Sequence, residues 1–187
     1  MAGLIARVGD FTMRPAPAQS LFAALLRSIV HQQLTGKAAA TILGRVTRLF
    51  APRRFPAPHD LLHIAPDRLR EAGLSAAKTA ALRDLAARTL DGTVPSLARI
   101  RRMEDEEIVE RLTTVRGIGR WTVEMLLIFR LGRPDVLPVS DLGVRKGFAL
   151  MFRRGKLPEP RVMLRRGERW RPYRSVASWY LWRALEL

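Results

Sequence analysis

One stretch constrains the fold more than any other: Leu112-Thr-Thr-Val115-Arg-Gly117-Ile118-Gly119-Arg120-Trp121-Thr122. Two glycines flank one aliphatic residue, between segments whose apolar residues recur at helical spacing. Glu104–Leu112 is acidic at its start and apolar later, as the helix dipole prefers. Arg120–Leu131 is strongly apolar and is expected to be buried. Glycine permits positive φ and close backbone approach, so the stretch reads as helix, tight turn, helix. Amides opening the second helix then point outward at the positive end of its dipole, which suits a phosphate. Such a contact positions a duplex without reading its sequence. Taken alone, Gly117-Ile118-Gly119 would serve equally well as a plain inter-helix turn.

Charge separates the two readings. The 187 residues carry 33 Lys and Arg against 17 Asp and Glu, a net charge of +16. A surplus this large in a chain with enough apolar residues for a sizeable core points to a polyanionic partner. An anionic membrane surface is the rival, but no apolar run is long enough to span a bilayer and no signal peptide opens the chain. A cytoplasmic, nucleoid-associated protein that does not engage membranes is expected. Cysteine is absent, which excludes disulfides, thiolate zinc sites and cysteine-ligated iron–sulfur clusters.

The rest of the chain also reads as helical. Ser20 caps Leu21–His31, Gln32–Gly36 interrupts, and Lys37–Phe50 resumes. A loop at Ala51–Pro58 leads to short helices at Asp60–Ala65 and Asp67–Ala72. Ser75 then caps Ala76–Leu90. Gly132–Ser140 is an extended loop, and Asp141 is placed to cap a helix running to Arg153. Pro158–Trp170 and Pro172–Leu187 close the chain. Phe11–Arg14 alone suggests a short strand.

The hairpin resembles the helix–hairpin–helix DNA glycosylase superfamily, in which a Gly/Pro-rich loop leads to a catalytic aspartate. Asp141, 22 residues after Gly119 and following Leu137-Pro138-Val139-Ser140, stands where that aspartate is expected. Three further segments are similar to the 3-methyladenine DNA glycosylase II family: Ser28-Ile-Val-His-Gln-Gln-Leu-Thr-Gly-Lys-Ala-Ala39, Ala72-Gly-Leu-Ser-Ala-Ala-Lys78, and Glu168-Arg-Trp170-Arg-Pro-Tyr-Arg-Ser-Val-Ala177 with Trp182 beyond it. The likeness runs from about residue 20 to the end. It implies an all-α fold of two helical subdomains, about 1–50 with 155–187 and about 51–154, with a cleft between them. It implies a compact form, without the β-rich N-terminal domain of longer members.

The implied activity is removal of alkylated purines, of the 3-methyladenine or 7-methylguanine type, from damaged double-stranded DNA by a monomeric base excision repair enzyme. The N-glycosidic bond breaks through an oxocarbenium-like sugar, and Asp141 would stabilise that charge and orient water. Glu124, the competing acid, is assigned to the surface or a salt bridge. Strand-nicking relatives carry a nucleophilic Lys where this chain has Trp121, and Arg120 beside it cannot shed its proton. No lyase step is expected. Trp121 and Trp182 match the family's base-pocket positions, with Met125 where better-known members place an aromatic; an electron-poor alkylated base is drawn to aromatic faces. Trp170 and Trp179 are assigned to the core, and His31 to a structural role. Gln33 or Leu34 matches the wedge that fills the gap left by a flipped base, and either also suits an ordinary turn. Gly117, Gly119, Arg120 and Thr122 would touch the backbone, with Lys37 and Lys146 as further phosphate partners. No cofactor is required and no iron–sulfur cluster is expected. The carbonyls of Thr113, Val115 and Ile118 match the family's ligands for a structural sodium or potassium ion. A glycosylase–lyase for oxidised or mismatched bases and a non-catalytic hairpin module are the alternatives.

Overall fold

The structure, a computed structural model, describes residues 1–16, 20–153 and 156–187. Every regular element among them is helical. Helix α1 spans Ala2–Val8, α2 Leu21–His31, α3 Gly36–Arg48, α4 Pro58–His63, α5 Pro66–Glu71 and α6 Ala76–Leu90. They are followed by α7 (Leu97–Ile100), α8 (Asp105–Leu112) and α9 (Arg120–Leu126), which runs on as a π-helical turn over Leu127–Leu131. Helix α10 (Leu142–Phe148) continues likewise over Ala149–Arg153. Helix α11 (Pro160–Gly167) ends in a 3₁₀ turn at Glu168–Trp170, and α12 is Arg174–Arg183. No described helix is long and apolar enough to cross a membrane.

Local chemistry explains the starts. The hydroxyls of Ser20, Thr35, Ser75 and Ser96 accept from amides three residues on, which satisfies otherwise orphaned donors. Pro58, Pro66 and Pro160 open α4, α5 and α11, where a missing N–H costs nothing. These prolines start three helices earlier or later than the apolar pattern alone suggests. Phe11–Arg14 forms no strand, and α1 and α7 are short helices that the sequence reading lacked.

The chain divides into two compact units, Ala18–Val123 and Met1–Pro17 with Glu124–Leu187. This replaces the expected division near residues 50 and 154. The reason lies in packing. Helix α6 lies against α2, α4 and α5, which draws the α2–α3 pair into the first of these units. Its core holds Leu25, Leu26, Ile29, Leu61, Leu69, Leu82, Leu85, Ile108 and Leu112, all fully enclosed.

In the other unit α10 packs on α12, and so does α1. Leu137, Val144, Phe148, Met163 and Leu181 form one cluster; Leu4, Trp179, Tyr180 and Ala184 form another. The approach of α10 to α12 is close enough that a Cβ on Gly147 would stand 1.9 Å from the Leu181 carbonyl oxygen.

Candidate active site

The hairpin forms as its residues dictate. Gly117 takes φ +78°, and the Ile118 amide donates to the Val115 carbonyl at 3.0 Å. Gly119 does not need positive φ; a Cβ there would meet nothing within 4 Å, so the opening of α9 is accessible to a ligand's close approach. Val115 and Ile118 plug the turn into the core. Asp84 on α6 fastens it, accepting the Arg116 amide at 2.7 Å while paired with Arg88 at 2.9 Å.

Arg120 is exposed and paired with Glu106 of α8. Exposed pairs of this kind are worth little, so a phosphate can replace the carboxylate. Thr122, expected at the DNA backbone, is buried. Trp121 stands half exposed on the first turn of α9, and Met125 is half buried one turn on.

The interruption at residues 32–35 belongs to the same unit as the hairpin. Gln33 has φ +57° and is the only described non-glycine residue in the left-handed region. A glutamine held there is uncommon and points to a functional demand. Gln33 and Leu34 are both exposed. The turn is fixed from below. Lys78 Nζ donates to the carbonyls of Val30 and Gln32 at 2.8 and 2.7 Å, and Gln32 Nε2 donates to the Gly117 carbonyl at 2.8 Å. Burial pushes the Lys78 ammonium below its ordinary pKa. The wedge candidates and the hairpin thus share a side-chain bridge that the sequence did not announce. Lys37 on α3 and His31 at the end of α2 are both exposed.

Asp141 lies in the other unit, buried at the start of α10. Its Oδ1 accepts the Val144 amide at 2.8 Å, so it caps α10 as expected, and it also accepts the Trp182 indole N–H at 2.8 Å. Two N–H donors and a helix N-terminus complement a carboxylate anion. Among the described residues, Asp141 and Glu124 are the only buried carboxylates. Of the two roles assigned to Glu124, surface or salt bridge, its burial removes the first. Lys146, one turn past Asp141, is exposed.

The loop that delivers Asp141 is anchored by α12, the helix that carries Trp182. Arg174 grips Asp135 through Nε at 2.7 Å and Nη2 at 3.0 Å. The Ser175 hydroxyl donates to the Arg133 carbonyl at 2.7 Å and accepts the Val136 amide at 3.0 Å.

Phe129 is an aromatic neighbour of Trp182 that the sequence did not single out. Its ring stacks on Trp182, centroids 5.5 Å apart and planes 29° from parallel. The two border a cavity of about 440 Å³ with Met13, Arg14 and Trp179. The signal was present: Trp121, Met125 and Phe129 recur every four residues. Trp179 is buried as expected, and Trp170 packs half buried against the cluster around Phe148.

A capped, buried aspartate bonded to an indole and an outward-facing glycine hairpin on an all-α chain define a helix–hairpin–helix glycosylase fold. Residues 26–172 match the model of the HhH-GPD superfamily base excision DNA repair protein. The chain is 40% identical over 163 residues to DNA-3-methyladenine glycosylase 1 of Schizosaccharomyces pombe, covering 87% of this chain and 72% of that protein. Its backbone matches the S. pombe 3-methyladenine DNA glycosylase in complex with abasic DNA with a TM-score of 0.86 at 36% identity, over 100% of this chain and 91% of the other. A Bacillus halodurans DNA-3-methyladenine glycosidase gives 0.88 at 34% identity, over 98% and 82%. This chain belongs to the HhH-GPD superfamily of base excision DNA repair proteins.

Proposed function

We propose that this protein is a monofunctional DNA glycosylase that flips alkylated purines of the 3-methyladenine or 7-methylguanine type from duplex DNA and hydrolyses the N-glycosidic bond. The observation that carries this reading is the buried Asp141 carboxylate held by the Val144 amide and the Trp182 indole. As the bond to the base breaks, positive charge grows on the sugar. Asp141 is fixed in advance to oppose that charge and to orient the attacking water. Alkylation makes the purine a cation that is already prone to leave, and Trp121, Met125, Phe129 and Trp182 supply apolar and aromatic surface for it. The Gly119 and Arg120 amides, Lys37 and Lys146 hold phosphates, and Gln33 or Leu34 fills the vacated stack. The product is an abasic site in an intact strand. The protein works as a monomer on the nucleoid.

The hairpin carbonyls of Thr113, Val115 and Ile118 would hold a sodium or potassium ion, since hard cations take oxygen ligands. The Val115 carbonyl accepts one turn hydrogen bond and keeps a second lone pair, which fits that role. When bound, the ion would offset phosphate charge.

The test is Asp141→Asn, which retains an N-cap. Single-turnover excision from an alkylated duplex should fall by ~10²–10³ with binding largely kept. Near-normal excision would overturn the assignment of Asp141. Borohydride trapping of a covalent adduct with the unaltered protein would overturn the monofunctional reading.

A further inference from the structure

The proposed chemistry leaves a second basic surface unused. Arg165, Arg166 and Arg169, on α11 and the turn after it, are exposed. With Phe148, Phe152 and Val162 they line a groove of about 340 Å³. The Arg166 guanidinium carbon stands 3.9 Å from the centroid of the Phe152 ring. Phe148 braces that ring edge-on at 5.0 Å, and Trp170 lies against it at 6.0 Å.

Nearby acids are engaged elsewhere. Glu159 pairs with Arg161 at 3.1 Å; Glu168 pairs with Arg171 at 2.8 Å and Arg174 at 3.8 Å. Among the described residues, Arg165, Arg166 and Arg169 have no carboxylate partner. Three like charges along little more than one helical turn repel one another, a cost that a bound polyanion removes.

We propose that this groove binds the phosphodiester backbone of the same DNA duplex, away from the flipped base. This rests on the glycosylase reading for the identity of the ligand. Guanidinium forks match phosphate oxygens bidentately. Arg166, already seated on an aromatic ring, loses little freedom on binding. Successive forks along one element fit the repeating charge of a nucleic-acid strand. The groove is also remote from the reacting centre. Asp141 opens α10, and Phe152 lies eleven residues further along that helix and its π extension, roughly 16 Å at the helical rise of 1.5 Å per residue. That span corresponds to about five base pairs at 3.4 Å each.

The experiment compares the unaltered protein with Arg165→Gln/Arg166→Gln/Arg169→Gln on duplexes carrying one alkylated base. In one duplex the lesion is central. In two others it lies about three base pairs, ~10 Å of duplex, from one end or the other. On the central-lesion duplex the triple variant should bind roughly 10–100-fold more weakly at low salt, and its log–log salt slope should drop by about 0.9 per phosphate lost. On one end-lesion duplex it should match the unaltered protein, because the flank that reaches the groove is missing. Single-turnover excision at saturating protein should be equal throughout. Arg165→Gln and Arg169→Gln, which keep the contact with Phe152, should each remove part of the slope and leave the melting temperature unchanged.

Unchanged affinity and slope on the central-lesion duplex would overturn the proposal, as would equal weakening on all three DNAs. So would an acidic peptide competing for the groove more strongly than DNA does. Failure of the unaltered protein to excise any lesion would instead sink the glycosylase reading, an outcome these binding measurements keep separate.

Discussion

The Trp182 indole N–H donates to Asp141 Oδ1 at 2.8 Å, across the packing of α12 on α10. The tryptophan therefore does two jobs with one ring: it orients the carboxylate and offers a face on which Phe129 stacks. Trp182→Phe separates the two, keeping an aromatic face and deleting the donor. A hydrogen bond to a charged group contributes about 1.5–3 kcal/mol, so excision should slow roughly 10- to 100-fold if that bond matters in the transition state. Single-turnover rates on an alkylated duplex measure this, with Kd as the control. An unchanged rate would show that the indole N–H only packs.

Two glycines of α10 should respond differently. A Cβ on Gly147 would meet the Leu181 backbone at 1.9 Å, and backbone does not step aside. Gly147→Ala should cost ~3 kcal/mol or more by forcing the helices apart, seen as a large fall in melting temperature. A Cβ on Gly143 would meet Trp182 Cδ1 at 2.7 Å and Asp141 Oδ1 at 3.1 Å. The indole is a rigid ring that can shift only at a cost of ~1–3 kcal/mol, offset by up to ~1 kcal/mol of helix propensity that alanine adds over glycine. Gly143→Ala should therefore lower stability less than Gly147→Ala does and slow excision at least roughly tenfold, about 1.4 kcal/mol in the barrier. Equal losses of stability in the two variants would refute the distinction.

These glycines show where sequence reading ran out. Asp141, the hairpin and the caps at Ser20 and Ser75 were legible because each is local chemistry: a side chain bonding an amide three residues away, or a turn that needs glycine. Gly143 and Gly147 read as ordinary helix residues, because what they accommodate is Trp182 and Leu181, far along the chain. The same holds for Phe129, for the Lys78 bridge beneath the Gln33 turn, and for the division into units. Helices α1 and α2, adjacent in sequence, belong to different units because α1 packs on α12 while α2 packs on α6. Helix α1 escaped notice because it is short and lacks a capping side chain; its Leu4 is buried by tertiary contacts alone.

Asp135 predicts an acid response. Burial works to raise its pKa, but hydrogen bonds from the Arg174 side chain and amide, with the charges of Arg174 and Arg171, outweigh it and hold the carboxyl below its ordinary value of 3.8. A folded-state pKa below the unfolded one gives stability that is fully present above the unfolded value and lost as pH falls through the folded one. Melting temperature should therefore decline below about pH 4. Asp135→Asn should flatten part of that decline and cost ~1–3 kcal/mol at neutral pH. It should also slow excision, because the loop it anchors delivers Asp141. A variant with unchanged melting temperature at pH 7 would show that the Asp135–Arg174 contact contributes nothing net.

The wedge gives a prediction that separates function from fold. Gln33 holds a left-handed backbone conformation at φ +57°, and Leu34 beside it is 38% exposed. Neither side chain supports the core, yet Lys78 and Gln32 hold the turn from beneath. A rigid base with exposed tips is what insertion into a base stack requires. Flipping costs a few kcal/mol from a paired stack and less from a mismatch, and a side chain that fills the gap offsets part of that cost. Gln33→Ala/Leu34→Ala should therefore slow excision from a fully paired duplex about tenfold, the effect of ~1.4 kcal/mol. The same lesion when mispaired should be cut at nearly the original rate, and the melting temperature should stay within a degree or two of the unaltered protein. Equal slowing on paired and mispaired substrates would assign these residues to the base pocket instead. A marked fall in melting temperature would show that Leu34 serves the fold.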